Sequence, residues 1–320
     1  MKLQTSVPLK KVEDQIDYSG QLVVLGSCFA NHIGDKLTYY KFRTLQNPFG
    51  ILFHPLAIEN LIRKAMDQYE YSERDIFQLN GRWHCFDAHS DLSSGSKEEL
   101  LKRLNDALSM TFRGLKEASH VIITLGTAWV YQHEKRNQVV ANCHKVPQKE
   151  FDKRLLTVDE ISTSLQRMVH KIETINQGTS IVFTISPVRH LKDGFIENQR
   201  SKSHLITALH GMLCNSPLDT KGLYFPSYEI MMDELRDYRF YATDMLHPND
   251  LAIAYIWEKF KKVWISETCY STMDQVEAIQ KGLLHRPFNQ DSEKHKEFLM
   301  TLDKKIAYLQ KEYPFMKFQI

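Results

Sequence analysis

Nowhere in this sequence do apolar residues run unbroken for the roughly 18 positions that cross a bilayer, so no membrane-spanning segment is expected. The first fifteen residues, MKLQTSVPLKKVEDQ, carry lysines but lack the apolar stretch of a secretory leader. Cysteine is sparse and shows no pairing. Cys28, Cys85, Cys143, Cys214 and Cys269 form an odd, scattered set without a CxxC. That argues against a disulfide framework or a cysteine-rich zinc site and suits free thiols in a reducing compartment. An excess of one charge is missing too. Forty-one basic against 39 acidic residues leave a net +2, which is no footprint for nucleic acid or an anionic membrane. The expectation is a soluble, cytoplasmic protein whose partners are to be read from local sites. Neither an internal repeat nor a low-complexity tract breaks the chain.

What is present is a core. Hydrophobic residues make up 42% of 320 positions, enough for one large domain with a terminal extension. Residues 21–26 (QLVVLG), 41–45 (KFRTL), 120–126 (HVIITLG) and 179–186 (TSIVFTIS) read as buried strands. Helical patterns fall between and after them, at residues 29–37, 55–67, 97–116, 158–176, 199–213 and 249–263. Continuous apolar strands separated by helices predict a mainly parallel α/β sheet covered on both faces. Two polar, aromatic stretches suggest hairpins: one within residues 71–89, another where 128–131 and 138–141 flank the tip HEKRN. The core pattern ends near residue 265. Residues 266–320 read as a helical C-terminal extension, with a charged amphipathic helix over 291–311 that packs on the main domain (1–265) or against a partner.

Reactive groups in open α/β sheets gather beyond the carboxyl ends of the strands. The first strand runs straight into Gly26-Ser27-Cys28 and a helix. A serine there can be an ordinary helix N-cap, or a nucleophile beside backbone N–H groups that stabilise an oxyanion. Asp244-Met245-Leu246-His247-Pro248 stands before the last core helix. It offers an imidazole as base and a carboxylate to orient it, or a solvated acid and a helix-flanking His-Pro.

The string Leu25-Gly26-Ser27-Cys28-Phe29-Ala30 resembles the signature that names the GSCFA family. Further similar blocks are Asn47-Pro48-Phe49-Gly50, Gly126-Thr127-Ala128-Trp129, Asn142-Cys143-His144-Lys145-Val146-Pro147, Ser186-Pro187-Val188-Arg189-His190 and Phe225-Pro226-Ser227-Tyr228-Glu229. Gly-Ser after the first strand with a late Asp-x-x-His is also similar to the first and last blocks of SGNH/GDSL hydrolases. The resemblance spans residues 20 to 250. It implies a flavodoxin-like three-layer α/β/α fold and ester-type acyl chemistry, hydrolysis or transfer to a sugar hydroxyl, with no cofactor and no metal. Ser27 would be the nucleophile, His247 the general base and Asp244 its orienter. The Ser27 and Gly50 amides would point into the oxyanion hole. The third block departs from the SGNH pattern, because Ala128 stands where an Asn donor is usual. Asn142, then Thr127, then Asn47 are the substitutes. Without a working hole the fold would be a carbohydrate- or peptide-binding module.

Other residues carry weaker expectations. Cys28 neighbours the serine, but its thiol is expected to pack toward the sheet. Arg189, His190, Asn198 and Lys202 follow the fourth strand and either grip an acidic or sugar-like substrate or pair with Asp193 and Glu197. Trp129 and Trp83 can stack on a sugar or pack in a hairpin. His144 is a further substrate-binding candidate, with no second Cys/His pair at metal-ligand spacing.

Overall fold

The computed structural model describes residues 4–215 and 222–318. In chain order its strands are β1 (Gln21–Gly26), β2 (Arg43–Gln46), β3 (Ile76–Leu79), β4 (Arg82–Cys85), β5 (Ala118–Leu125), β6 (Trp129–His133), β7 (Gln138–Val140), β8 (Phe151–Leu155), β9 (Ser180–Ile185) and β10 (Gly222–Tyr224). The helices are α1 (Cys28–Tyr39), α2 (Pro55–Met66), α3 (Lys97–Glu117), α4 (Val158–Ile175), α5 (Phe195–Asn215), the single turn α6 (Ser227–Glu229), α7 (Asp250–Trp264), α8 (Tyr270–Leu283) and α9 (Glu293–Glu312).

Five strands form the central sheet in the order β10-β9-β5-β1-β2, every pair parallel. The four strands expected from apolar runs are all in it, with ends shifted by one or two residues. The fifth, β10, was not expected: three residues are too few to show a period. Strand alternation sends Val23, Leu25, Val121, Ile123, Ile181 and Phe183 into one core with α2, α3, α4 and α5. Leu22, Val24, Ile122 and Val182 face the other core with α1, α7, α8 and α9. The result is a three-layer α/β/α arrangement. Each fully buried Val or Leu contributes about 1.5–3 kcal/mol, and buried polar residues such as Thr124 and Thr184 stand among them.

Two small antiparallel units sit beside the sheet. The pair β3–β4 turns at Asn80-Gly81, where both residues have positive φ (50° and 74°), as a two-residue hairpin requires. The second hairpin, β6–β7, also forms, and β8 adds a third strand that sequence periodicity did not show. A buried ion pair ties these units to the main layer. Lys64 on α2 meets Asp87 at 2.7 Å, and Asp87 also accepts from Tyr71 and Gln138. The Lys64 ammonium lies 4.0 and 4.4 Å from the Tyr69 and Tyr71 ring centres, so aromatic faces replace part of its lost hydration.

Both chain ends close the second core. Leu302, Ile306 and Leu309 on α9 are buried with Met273 and Val276 of α8. Ile16 donates its N–H to Trp264 O (2.7 Å) and accepts from Ser266 N (2.9 Å), so the segment before β1 is laid along the end of α7. Glu234 accepts from Tyr255 and Val7 N and pairs with Lys259, fastening that segment further along.

The passage from β1 to α1 allows only glycine at position 26. Its φ is +130°, and a Cβ there would stand 2.1 Å from Thr124 O. Gly26→Ala is therefore expected to destabilise the protein by at least ~2–3 kcal/mol, measured by chemical denaturation, since backbone strain and a backbone clash add.

Candidate active site

The sheet order reverses between β1 and β5, because the chain winds outward from β1 on one side and from β5 on the other. Open α/β sheets bind ligands at such a point. Ser27 follows β1 and Gly126 follows β5, so both stand at the reversal. A Cβ on Gly126 would lie 3.2 Å from Ser27 Cβ, 2.9 Å from Phe53 O and 3.3 Å from His190 Nε2. Any side chain at position 126 would be crowded there, because the serine and the imidazole both close on the glycine.

Ser27 occupies the N-cap position of α1 but does not cap. Its hydroxyl takes no helix N–H, is fully buried and has no hydrogen-bond partner among the described residues. A serine kept only for capping would bond the N2 or N3 amide. An orphaned buried hydroxyl costs about 1–3 kcal/mol, so this arrangement does not serve stability. Cys28 is no rival: burial pushes its thiol up, away from the thiolate.

His247 and Asp244 are joined at 2.6 Å, Nδ1 to Oδ2, and the other carboxylate oxygen accepts the Leu246 and His247 N–H groups at 2.9 and 3.0 Å. Those two amides, with the imidazole, hold the Asp244 carboxyl down at about 2. An ionised carboxylate only accepts, so Nδ1 carries the proton and Nε2 keeps a lone pair. That is the tautomer a general base needs. Met245, in the left-handed region at φ 59°, makes the turn that lets an acid three residues upstream reach the ring. Arg189 N–H donates to Leu246 O (3.1 Å), which brings the loop after β9 against this turn.

A cavity of about 720 Å³ opens here, within the size range of small-molecule sites. Its wall includes Cys28, His190 and His247, with Phe53, Trp129 and Val188 among the apolar residues. Arg189, Lys145 and Lys192 also reach it, and none of the three has an ion pair among the described residues. Asp193, also on the wall, is paired with Lys153. Ser27 lies just behind the wall, and no hydrogen bond joins it to His247.

Most of the oxyanion donors named from sequence are engaged elsewhere. Gly50 N–H donates to Asn47 O at 2.7 Å and so closes a turn. Ser27 N–H donates to Thr124 O at 3.1 Å, continuing the β1–β5 ladder. Asn47 is spent on the same framework: its Oδ1 accepts Gly26 N–H and its Nδ2 donates to Asn31. Thr127 Oγ1 accepts Trp129 N–H and lies 3.0 Å from Ser201 Oγ. Asn142 reaches the cavity wall; its Oδ1 accepts His144 N–H, and its Nδ2 donor has no hydrogen bond among the described residues.

The substrate-binding candidates divide. Arg189 lines the cavity, its guanidinium 5.3 Å from the Phe195 ring centre and 5.8 Å from that of Tyr241. Trp129 lines it too, with its indole N–H donated to Glu197 O. Asn198 does not; it is buried and accepts His190 N–H, shaping the loop. His144 is buried, with Nε2 against Cys85 O. Lys202 is the largest surprise. It is wholly buried, and its ammonium donates to Gly126 O (2.8 Å) and Ser186 O (2.7 Å) with no carboxylate beside it. Desolvation pulls it down to about 7. Sequence reading missed this because a lysine in a helix ordinarily reads as surface. No group of three or more His, Cys, Asp or Glu able to hold a metal occurs among the described residues, and no helix there is long and apolar enough to cross a membrane.

The GSCFA family matches residues 21–260, and the C-terminal domain of GSCFA domain proteins matches residues 276–319. The chain belongs to the GSCFA family. No curated protein matches it.

Lys202 gives a pH test. Its folded-state value lies below that of an unfolded lysine, so between about pH 7 and 10.5 the unfolded chain binds more protons and folding gains from rising pH. Relative to Lys202→Met, the wild type should gain stability across that window with a slope approaching ~1.4 kcal/mol per pH unit, and show no such trend below pH 7. Urea midpoints of the two proteins at several pH values measure it.

Proposed function

We propose that this protein is a serine acyl hydrolase of the SGNH type, with Ser27 as nucleophile and His247 and Asp244 as base and orienter. The observation that carries the reading is the buried, unbonded Ser27 hydroxyl at the sheet's reversal point, beside a cavity whose wall holds a carboxylate-oriented imidazole. In the reaction Ser27 Oγ bonds to the ester carbonyl carbon while its proton passes to His247 Nε2. The carbonyl electron pair moves to oxygen. On collapse the alcohol leaves with the proton from the imidazolium. Water, deprotonated by the same nitrogen, then releases the acid and restores the serine. Rotation of the serine side chain toward the cavity precedes attack, since its hydroxyl begins behind the wall.

The cavity's chemistry supports an acidic substrate. Aromatic and aliphatic walls suit an acyl chain or a sugar face, and three unpaired cations suit a carboxylate or phosphate on it. Hydrolysis is favoured over transfer to a sugar hydroxyl because the Asp244 and His247 side chains are each more than two-fifths exposed, leaving the base open to water.

A fluorophosphonate–rhodamine probe should label the wild type at Ser27 and leave Ser27→Ala unlabelled, with p-nitrophenyl esters turned over only by the former. Asp244→Asn should lose about a thousandfold or more in kcat with little change in melting temperature. A Ser27 that takes no label points instead to the non-catalytic binding module.

A further inference from the structure

With the expected backbone donors engaged, the site needs side chains to receive negative charge. His190 stands where one is required. Its Nε2 is buried, makes no hydrogen bond among the described residues, and lies against Gly126, as Ser27 Cβ does. The two orphaned polar atoms, Ser27 Oγ and His190 Nε2, thus belong to side chains that close on the same glycine. Two backbone bonds hold the loop, the His190 main-chain N–H to Asn198 Oδ1 at 2.8 Å and the Arg189 main-chain N–H to Leu246 O, and the imidazole itself meets the Phe53 ring edge-on at 6.0 Å.

We propose that His190 is a catalytic residue that donates its Nε2–H to the oxyanion, standing in from the loop after β9 for the amide missing after β5. As the Ser27 Oγ–C bond forms and the Oγ proton moves to His247 Nε2, the carbonyl π pair becomes a negative oxygen between serine and imidazole. His190 Nε2–H then gains the acceptor it lacks at rest. The bond exists only as charge develops, so it lowers the barrier rather than tightening ground-state binding.

Its surroundings favour a donor over a second base. Burial, Lys202 and His247 push His190 down to about 3, so the ring is neutral throughout the working range. A base with so low a proton affinity would be weak, and no carboxylate pairs with His190 among the described residues, whereas His247 has Asp244. Neutral imidazole serves as an electrophile in other enzymes. Where Lys202 is protonated, the charge that depresses His190 also favours negative charge arriving on the substrate side.

The inference rests on the acyl-hydrolase reading, and one series separates them. The measurements are Ser27 labelling rate with the fluorophosphonate–rhodamine probe and kcat and KM on p-nitrophenyl butyrate, for the wild type, His190→Ala and His190→Gln. The Gln amide nitrogen can take the place of Nε2. His190→Ala should lose a hundredfold or more in kcat with KM nearly unchanged, and His190→Gln should recover most of it with the same pH profile as the wild type. A wild type that is never labelled at Ser27 overturns both the reading and the inference. A labelled, active wild type whose Ala variant is as fast or faster overturns the inference alone, leaving His190 a mere cover over the serine. So does a folded Gln variant, verified by its melting curve, that is as slow as the Ala variant.

Discussion

One buried ammonium sets the geometry at the carboxyl end of the sheet. Lys202, on α5, bonds the carbonyls of Gly126 and Ser186, the residues that follow β5 and β9. A charge buried without a counter-ion is expensive, and strand ends could satisfy their carbonyls in other ways. What the lysine provides is alignment. With Gly126 O drawn toward α5, the Thr127 N–H of the same peptide points the other way, to Phe53 O at 3.0 Å, and Gly126 N–H meets the same acceptor at 2.8 Å. The loop after β2 is thereby joined to the loop after β5, and the β9 loop starts from a fixed Ser186. Ser27, His190 and the cavity wall take their places around that frame.

The same accounting explains how much of the molecule was legible in its residues. Strands β1, β5 and β9 each hold an apolar run (LVVL, VII and IVF) because they are buried on both faces, and such runs are visible in a single sequence. The turn at Asn80-Gly81 is a local preference and could be seen, as could the acid–base turn from Asp244 to His247, whose partners stand three residues apart. Strand β8, reading FDKRL, alternates weakly and depends on β6 for its pairing. Helix α8 is too polar along its length to announce itself.

Site residues failed or succeeded by a different rule. Whether an amide is available depends on who accepts it, and the acceptors lie elsewhere in the chain. Gly50 has the glycine expected of an oxyanion loop, yet its N–H turns back to Asn47 O. Asn47 has the right side chain, already spent on Gly26 and Asn31. His190 looked like one more polar loop residue. Only the three-dimensional account of donors and acceptors shows that its nitrogen, and the serine hydroxyl, are left over.

The way the chain ends are stitched has a consequence for its synthesis. Ile16 pairs with Trp264 and Ser266, so this segment has no partner until some 250 residues later. The site is spread likewise over positions 27, 126, 190 and 247. Contacts so distant along the chain form late and slowly. A nascent chain halted before residue 247 therefore has Ser27 without the Asp244–His247 pair, and unprotected apolar β1 surface besides. On the proposed reading, reactivity would arrive together with the helix that covers that surface, so a half-made copy would be sticky but chemically inert.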